Sequence, residues 1–348
     1  MGERIIVAGG AGYIGSHVCV SLLDAGYSLM VIDNFANSHP ESLSRVRQIS
    51  GVNDPDRLTL VEADFARPED RARIIDAICS FRPAGAIHLA GLKAVGESVA
   101  EPARYYATNI NATFGLIEGL EAAGARQLVF SSSATVYGDL NANPISEAGR
   151  TGPTNPYGHT KLMIEQMLTD LTRADERWRV CNLRYFNPVG AHPSGLIGED
   201  PNDIPNNLFP FIAQVAVGRR ETLQIYGDDY PTPDGTGVRD YIHVCDLARG
   251  HLRALEFLSD GANGGAHVFN LGTGIGYSVK QVRDAFAVAA GRAIASQIAP
   301  RRHGDVAENY ADAHLAAEKL NWTAEKTLAE MCADHWRWQS QNPNGFAG

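Results

Sequence analysis

The feature that most constrains this chain is a run of glycines placed where a strand hands over to a helix. Gly9-Gly10-Ala11-Gly12-Tyr13-Ile14-Gly15 follows the β-pattern Arg4–Ala8 and opens the helical pattern Tyr13–Ala25. It reads G-x-x-G-x-x-G from Gly9 and G-x-G-x-x-G from Gly10. Glycine at these places permits a tight turn and lets the backbone approach a pyrophosphate. The free N–H groups and positive end of the helix behind it complete an anion site. Asp33 closes a second β-pattern, Ser28–Asp33, 18 residues beyond Gly15. A carboxylate there accepts hydrogen bonds from an adenosine ribose. It also repels a 2′-phosphate, and Asn34–Ser38 holds no Arg or Lys to offset that. The expected cofactor is therefore NAD rather than NADP. Asp64, ending a third β-pattern, either caps the adenine or belongs to the N-cap region of the next helix. Leu89-Ala90-Gly91-Leu92-Lys93 ends a fourth. Its small residues let the chain pass close to the cofactor, and Lys93 either reaches a phosphate or ribose or is simply solvated.

Strand and helix patterns alternate through the first half. The strands are expected at Arg4–Ala8, Ser28–Asp33, Leu58–Val61, Ala84–Leu89, Gln127–Ser131 and Arg179–Arg184. The helix Pro102–Ala123 carries apolar residues at Tyr106, Ile110, Phe114, Ile117 and Leu120, and Tyr157–Arg173 carries Ile164, Met167, Leu168 and Leu171 at i, i+3, i+4, i+7 spacing. Such alternation predicts an α/β fold, a Rossmann-type doubly wound parallel sheet with helices on both faces. After Asn187 the loops lengthen and Pro and Gly cluster. This half reads as a smaller, mostly helical C-terminal substrate lobe over 187–348. It follows a dinucleotide-binding domain over 1–186, to which strands and helices return around 241–275.

Composition narrows the function classes. The 44% apolar and 20% charged content excludes disordered and collagen-like chains. Thirty basic against 40 acidic residues give a formal charge of −10, which argues against a nucleic-acid partner. No run approaches 18 apolar residues, so no membrane partner is expected. The chain enters a strand pattern at once, so no signal peptide is expected. Five cysteines form no C-x-x-C pair and no zinc spacing; they read as buried thiols in a reducing, cytoplasmic setting, with no metal site.

Tyr157 and Lys161 are four residues apart at the start of a helix, so both project from one face. A free phenol has a pKa near 10, too high for a base at neutral pH. A nearby cation lowers the pKa of an acid by about 1–3, which would let Tyr157 take a proton from a sugar hydroxyl while hydride leaves to NAD. Ser131-Ser132-Ser133 ends the fifth strand at the carboxyl edge of the sheet. Ser133, farthest along, is the hydroxyl expected to meet the substrate oxygen.

Gly9-x-x-Gly12-x-x-Gly15, Ser133 and Tyr157-x-x-x-Lys161 resemble the extended short-chain dehydrogenase/reductase family. Longer stretches are more specific: Leu92–Val99, Ser131–Gly138, Leu183–Gly195, Gly235–Val244 and Pro300–Asp305 resemble the UDP-glucose 4-epimerases, from about Arg4 to Gln339. The resemblance implies an isomerase of galactose metabolism with tightly held NAD, a UDP-hexose substrate and a homodimer. It implies Tyr157 as acid/base, Lys161 as its tuner and a ribose ligand, and Ser133 as partner of the sugar hydroxyl. NAD would be lined by Gly9, Gly12, Tyr13, Ile14 and Gly15, by Asp33, Asn34, Phe35, Asn37 and Ser38, and by Asp64 and Phe65. Leu89, Ala90, Gly91 and Lys93 would join them, with Asn109 and Phe186. The UDP-sugar would be held by Lys93, Asn187, Asn207 and Leu208, by Gln224, Ile225 and Tyr226, and by Arg239 and Arg302. Asp305 would lie near the uridine ribose.

Two positions depart from the family pattern. Bacterial relatives often carry a tyrosine where this chain has Asn309. A smaller Asn309 either widens the pocket to N-acetylated UDP-hexosamines or only hydrogen-bonds the sugar. Thr108 stands where relatives can carry a cofactor-contacting asparagine, and is left outside the expected site. The alternatives on the same fold are a nucleotide-sugar dehydratase, a net oxidoreductase and a non-enzymatic dinucleotide sensor, which would usually lack the Tyr/Lys pair present here. Dehydratases carry an Asp-Glu pair just after the fifth strand, where this chain has Ala134 and Thr135. His17, beside the glycine loop, is expected to serve packing or to be an incidental phosphate neighbour, not to take part in catalysis.

Overall fold

Apolar runs buried on both faces can hydrogen-bond only side by side under two layers of helix, and that is what this chain builds. The computed structural model describes residues 2–202, 207–302 and 305–347. Strands β1 (Arg4–Ala8), β2 (Ser28–Asp33), β3 (Leu58–Glu62), β4 (Gly85–His88), β5 (Gln127–Ser133) and β6 (Arg179–Tyr185) join one parallel sheet. Helices α1 (Tyr13–Asp24), α2 (Glu41–Ser50), α3 (Arg71–Phe81), α4 (Val95–Ala100), α5 (Pro102–Ala122) and α6 (Pro156–Ala174) connect them. The remaining strands are β7 (Asn187–Val189), β8 (Leu223–Tyr226), β9 (Val238–His243), β10 (Gly265–Leu271), β11 (Gly276–Ser278), β12 (Ser296–Ala299) and β13 (Glu308–Asn309). The remaining helices are α7 (Leu208–Ala216), α8 (Val244–Ser259), α9 (Val279–Ala290), α10 (His314–Leu320) and α11 (Leu328–Gln341).

The main sheet has seven strands in the order β10-β6-β5-β4-β1-β2-β3, so the expected doubly wound parallel sheet is present. The two-residue period of a strand sorts its core. Ile5 and Val7 of β1 face Val18 and Leu22 of α1 and Leu247 and Leu255 of α8. Ile6 and Ala8 face the opposite layer, with Ile74 and Ile78 of α3, Leu116 of α5 and Ile164 of α6. The strand order reverses at β1, between β2 and β4. A crevice therefore opens at the carboxyl ends of these strands, where ligands bind in such sheets.

α8 and β10 follow residue 187 yet extend this first sheet and its helical layer. The rest of the second half stacks α7, α9 and α11 around Phe209, Ile212, Val282, Phe286 and Met331. Short ladders accompany them: β9 with β7, β11 and β13, and β8 with β12. Asp240, fully buried on β9, binds this lobe to the loops beside it. Its carboxylate accepts from Thr273 N at 2.9 Å, Thr273 Oγ1 at 2.6 Å, Gly274 N at 2.9 Å and Ala311 N at 3.1 Å.

Two expectations need correction, and one helix was not foreseen. On α5, Phe114 is 46% exposed, and the buried stripe runs through Tyr105, Asn109, Ala112, Thr113, Leu116 and Leu120. Successive four-residue steps advance about 40° each around a helix, so a chain of them leaves the buried face. α2 escaped the sequence reading because it buries only Ser42, Leu43 and Val46. Cys79 and Cys245 are half-buried rather than buried, though all five thiols are free. Among the described residues no helix is long and apolar enough to cross a membrane.

Candidate active site

A cleft of about 690 Å³ runs along the carboxyl edge of the sheet. Tyr157 and Lys161 reach its floor because Asn155 starts α6 there: Asn155 Oδ1 accepts from Gly158 N at 2.9 Å, with Pro156 in the first turn. Ser133 ends β5 beside them, and its Oγ accepts from Thr135 N at 3.2 Å and Thr135 Oγ1 at 3.0 Å. Burial pushes the Tyr157 phenol up to about 12, against a smaller downward pull from its hydrogen bond with the Ser133 side chain. The sequence reading had Lys161 lowering that pKa, and here burial wins. The reason is geometric. Lys161 Nζ donates to the Ser131 carbonyl at 2.7 Å and lies 5.7 Å from the centre of the Tyr157 ring. Burial in turn brings Lys161 down to about 8, opposed by the charge of Glu165.

The glycine loop forms one wall. Gly9 has φ +77°, and a Cβ there would stand 2.7 Å from Ala90 N; a Cβ at Gly15 would stand 2.3 Å from Gly9 O. Both positions demand glycine, which brings the loop against the end of β4. α1 starts without a side-chain cap, so its first N–H groups are left for a ligand. Asp33 braces this wall. Its Oδ2 accepts from Ala11 N at 3.0 Å, and its Oδ1 from Phe35 N at 2.9 Å and Ser38 Oγ at 2.8 Å. Asp64 accepts from Asn34 Nδ2 at 3.0 Å and from Ala66 N at 2.8 Å. Tyr13 reaches the segment after β7, donating to Gly190 O at 2.7 Å.

The opposite wall is basic. Arg302 Nε lies 2.9 Å from Asp305 Oδ2, and Arg239 Nη2 lies 4.0 Å from Asp305 Oδ1. One carboxylate thus gathers two guanidiniums at the cleft mouth, a pair suited to a diphosphate.

Most residues singled out from the sequence meet in this cleft. On the cofactor side they are Gly9, Gly12, Tyr13, Ile14 and Gly15, then Asp33, Asn34, Asn37 and Ser38, then Asp64, Phe65, Leu89, Ala90, Gly91 and Phe186. Toward the second lobe they are Lys93, Asn187, Asn207, Arg239, Arg302, Asp305 and Asn309, with Ser133, Tyr157 and Lys161 between. Others stand elsewhere. Asn109 spends its side chain on Leu92 N, Leu92 O and Thr160 Oγ1, bracing the loop from behind. Phe35 packs into the core with φ +53°. Ile225 turns its side chain into the core, and Leu208 and Gln224 lie outside the cleft wall. Tyr226 is exposed under the Arg302 guanidinium, 4.8 Å from its ring centre. Residues 303 and 304, inside the Pro300–Asp305 stretch, lie outside the described residues.

Comparison with known proteins decides the family. The NAD dependent epimerase/dehydratase family model matches residues 5–272. The chain belongs to this family. Its curated relatives include the UDP-glucose 4-epimerase of Bacillus subtilis (strain 168), 54% identical over 342 residues, covering 98% of each chain. The human UDP-glucose 4-epimerase is 51% identical over 353 residues, covering 99% of each. Among solved structures, the UDP-glucose 4-epimerase of Bifidobacterium longum in complex with NAD+ and UDP superposes with a TM-score of 0.92. It is 48% identical, covering 99% of this chain and 100% of that one.

In and behind this epimerase/dehydratase cleft stand polar residues that the sequence did not assign to the site, among them Thr108, Glu199, Tyr185 and Glu165. Thr108 lines the wall despite its exclusion. Glu199 is almost buried and accepts on Oε1 from Lys93 Nζ at 3.1 Å and Asn207 Nδ2 at 2.9 Å. Tyr185 lines the cleft and shares a 3.2 Å hydrogen bond with His251 Nε2. Glu165 sits behind Lys161. Glu165 carried a local signal in its spacing of four from Lys161, and Thr108 in its place beside Asn109; Glu199 and Tyr185 come to the cleft through the fold. His17 is buried with its pKa lowered to about 3, a neutral packing residue whose Nδ1 lies 2.7 Å from Tyr13 O.

Proposed function

We propose that this chain is a UDP-glucose 4-epimerase. It interconverts UDP-galactose and UDP-glucose by transient hydride transfer from C4 to bound NAD through a 4-keto sugar. The observation that carries this is the placing of Tyr157, Lys161 and Ser133 between a glycine-loop wall and an arginine wall in one continuous cleft. The residues fit NAD: two glycines whose Cβ atoms would clash, an uncapped helix start and a braced Asp33 stand together. NAD when bound supplies the acceptor, and then the donor, of the C4 hydride.

The protein's own groups do the rest. Tyr157 Oη exchanges the proton of the sugar 4-oxygen, and Ser133 Oγ–H hydrogen-bonds that oxygen. Lys161 keeps a positive charge beneath both. Arg239 and Arg302 hold the diphosphate and Asp305 sits by the uridine ribose, so the nucleotide is gripped while the hexose is left loose enough to turn over. Gln224, Ile225, Tyr226 and Leu208 would serve the nucleotide through backbone and rim contacts, and Asn187 and Asn207 the sugar end. We read the two lobes as 1–186 and 187–348, with 241–275 returning to the first.

A dehydratase reading is disfavoured because Ala134 and Thr135 offer no acid/base pair. The cleft also suits a broader substrate range. Asn309 lines it without an aromatic ring, so UDP-GalNAc and UDP-GlcNAc are included in the proposal. A homodimer is proposed on α5 and α6, which pack side by side and leave Phe114 and Met163 exposed. The free thiols suit the cytoplasm.

The test is direct. Purified protein given UDP-galactose without added NAD is expected to yield UDP-glucose, with no net NADH and no loss of water. Accumulated NADH or a dehydrated sugar would overturn the assignment. UDP-GalNAc in the same assay decides the wider range, and sedimentation of Phe114→Glu decides the dimer.

A further inference from the structure

Glu165 is buried behind the floor of the cleft, and the chemistry above does not use it. It follows Lys161 by four residues on α6, so both leave one helix face with Cβ atoms about 5–6 Å apart. Its carboxylate accepts from Ser132 Oγ, and from Arg184 Nε at 2.9 Å and Nη2 at 2.5 Å. Both partners of this bidentate pair are less than a tenth exposed. The contacts converge on one stretch of β5. The Ser131 carbonyl receives Lys161 Nζ, and the next residue, Ser132, is tied to Glu165. On its far side Arg184 lies 4.8 Å over the Tyr137 ring, whose hydroxyl donates to Asn270 Oδ1 at 2.7 Å.

A buried ion pair is a weak device for stability, since desolvation cancels most of its attraction and apolar residues of the same volume serve as well. Its place, one turn from a buried ammonium, gives it a different use. We propose that Glu165, paired with Arg184, is a positioning residue for the reaction, fixing the β5 peptide that receives Lys161 and keeping that ammonium charged inside the protein. The proposal deepens the functional reading and rests on the role assigned there to Lys161.

Charge accounting around Lys161 supports it. Burial pulls Lys161 down, and the Glu165 carboxylate is the opposing influence. From β4, His88 is held neutral by its own burial and by the Lys161 charge. From α6 itself Tyr157 stays a phenol, as do Tyr185 on β6 and Tyr137 after β5. Arg184 on β6 is a cation. Beyond Arg184 and Tyr137 lies the half-buried Glu147, whose carboxyl burial pushes up; it is Glu165 whose charge acts on Lys161. Removing it lowers the Lys161 pKa, both by loss of its charge and by leaving Arg184 unopposed. Removing Arg184 instead leaves Glu165 unopposed and raises it. A brace that served packing alone would not move the two in opposite directions.

The experiment compares the full-length protein with Glu165→Gln, Arg184→Gln and the double variant. The chain has five lysines, so Lys161 can be followed directly by 13Cε-lysine NMR across pH, beside the pH–rate profile for UDP-galactose. The Lys161 midpoint is expected to fall by about one pH unit in Glu165→Gln, rise by a similar amount in Arg184→Gln, and return near the parent value in the double. The alkaline limb of the rate should move with it. Unchanged midpoints, or movements of one sign in both single variants, overturn the proposal even if activity falls. Should Glu165→Gln not fold, an Arg184→Gln midpoint above that of the double supports the proposal, and equality overturns it. A parent protein that fails to convert UDP-galactose overturns the functional reading separately, while the NMR midpoints still decide the relation of Glu165 to Lys161.

Discussion

Lys93 and Glu199, 106 residues apart in the chain, meet at the cleft with Nζ and Oε1 3.1 Å apart. The same carboxylate oxygen holds Asn207 Nδ2 at 2.9 Å. Glu199→Ala removes both anchors, so the KM for UDP-galactose is expected to rise about tenfold, as for a lost hydrogen bond to a charged group. Glu199→Gln keeps an acceptor for Asn207, and its KM should rise less. Steady-state kinetics of the two variants side by side check this, and equal KM values would refute it.

Tyr157→Phe deletes one oxygen from a buried side chain and leaves its packing. Turnover of UDP-galactose should drop by at least about 10²-fold, the usual cost of losing a general acid/base. The circular dichroism spectrum and bound NAD should be retained. Full activity in this variant would remove the assigned role.

Arg302 is exposed at the mouth and paired with Asp305, so its cost of release to a diphosphate is small. Arg302→Ala should weaken UDP binding about tenfold at low salt, and by less at high salt where screening already weakens the contact. Calorimetric titration with UDP at two ionic strengths reads both effects.

Four histidines are held neutral inside the fold: His17 and His88 at about 3, His251 and His335 at about 4, in each case chiefly by burial. Their folded pKa values lie below the unfolded value near 6.5. Stability is therefore full above about pH 6.5 and is lost as pH falls toward 4, because the unfolded chain takes up protons that the folded one refuses. A folded pKa lying one below its unfolded value corresponds to about 1.4 kcal/mol, so a loss of several kcal/mol by pH 4 is expected. Thermal melts between pH 7 and 4 measure it. His88→Gln, at a site hydrogen-bonded to Thr113 Oγ1 at 3.0 Å, should flatten part of the slope.

Much of this was legible in local patterns. The glycine loop, Asp33, the serine triplet and the Tyr157–Lys161 spacing are short-range features whose geometry follows from one turn, one strand end or one helical turn. The strands of the main sheet were legible because burial on both faces demands continuous apolar runs. The face of α5 was not, because α3 and α6 pack against it from two sides and turn Phe114 outward. Nor was Glu199, which lies 106 residues from Lys93 and has no motif of its own.

The sequence alone determined the fold class and pointed to the glycine loop and the Tyr157–Lys161 pair, since each depends on residues within a few positions of one another. The tertiary structure decided which charges face each other: Lys93 with Glu199, Arg239 and Arg302 with Asp305, Lys161 with the Ser131 carbonyl rather than with the phenol. Those pairings depend on how lobes and layers close. The same closure removes water and sets the cost of every charge it encloses, so Tyr157 and Lys161 are moved in ways that spacing along the chain does not reveal.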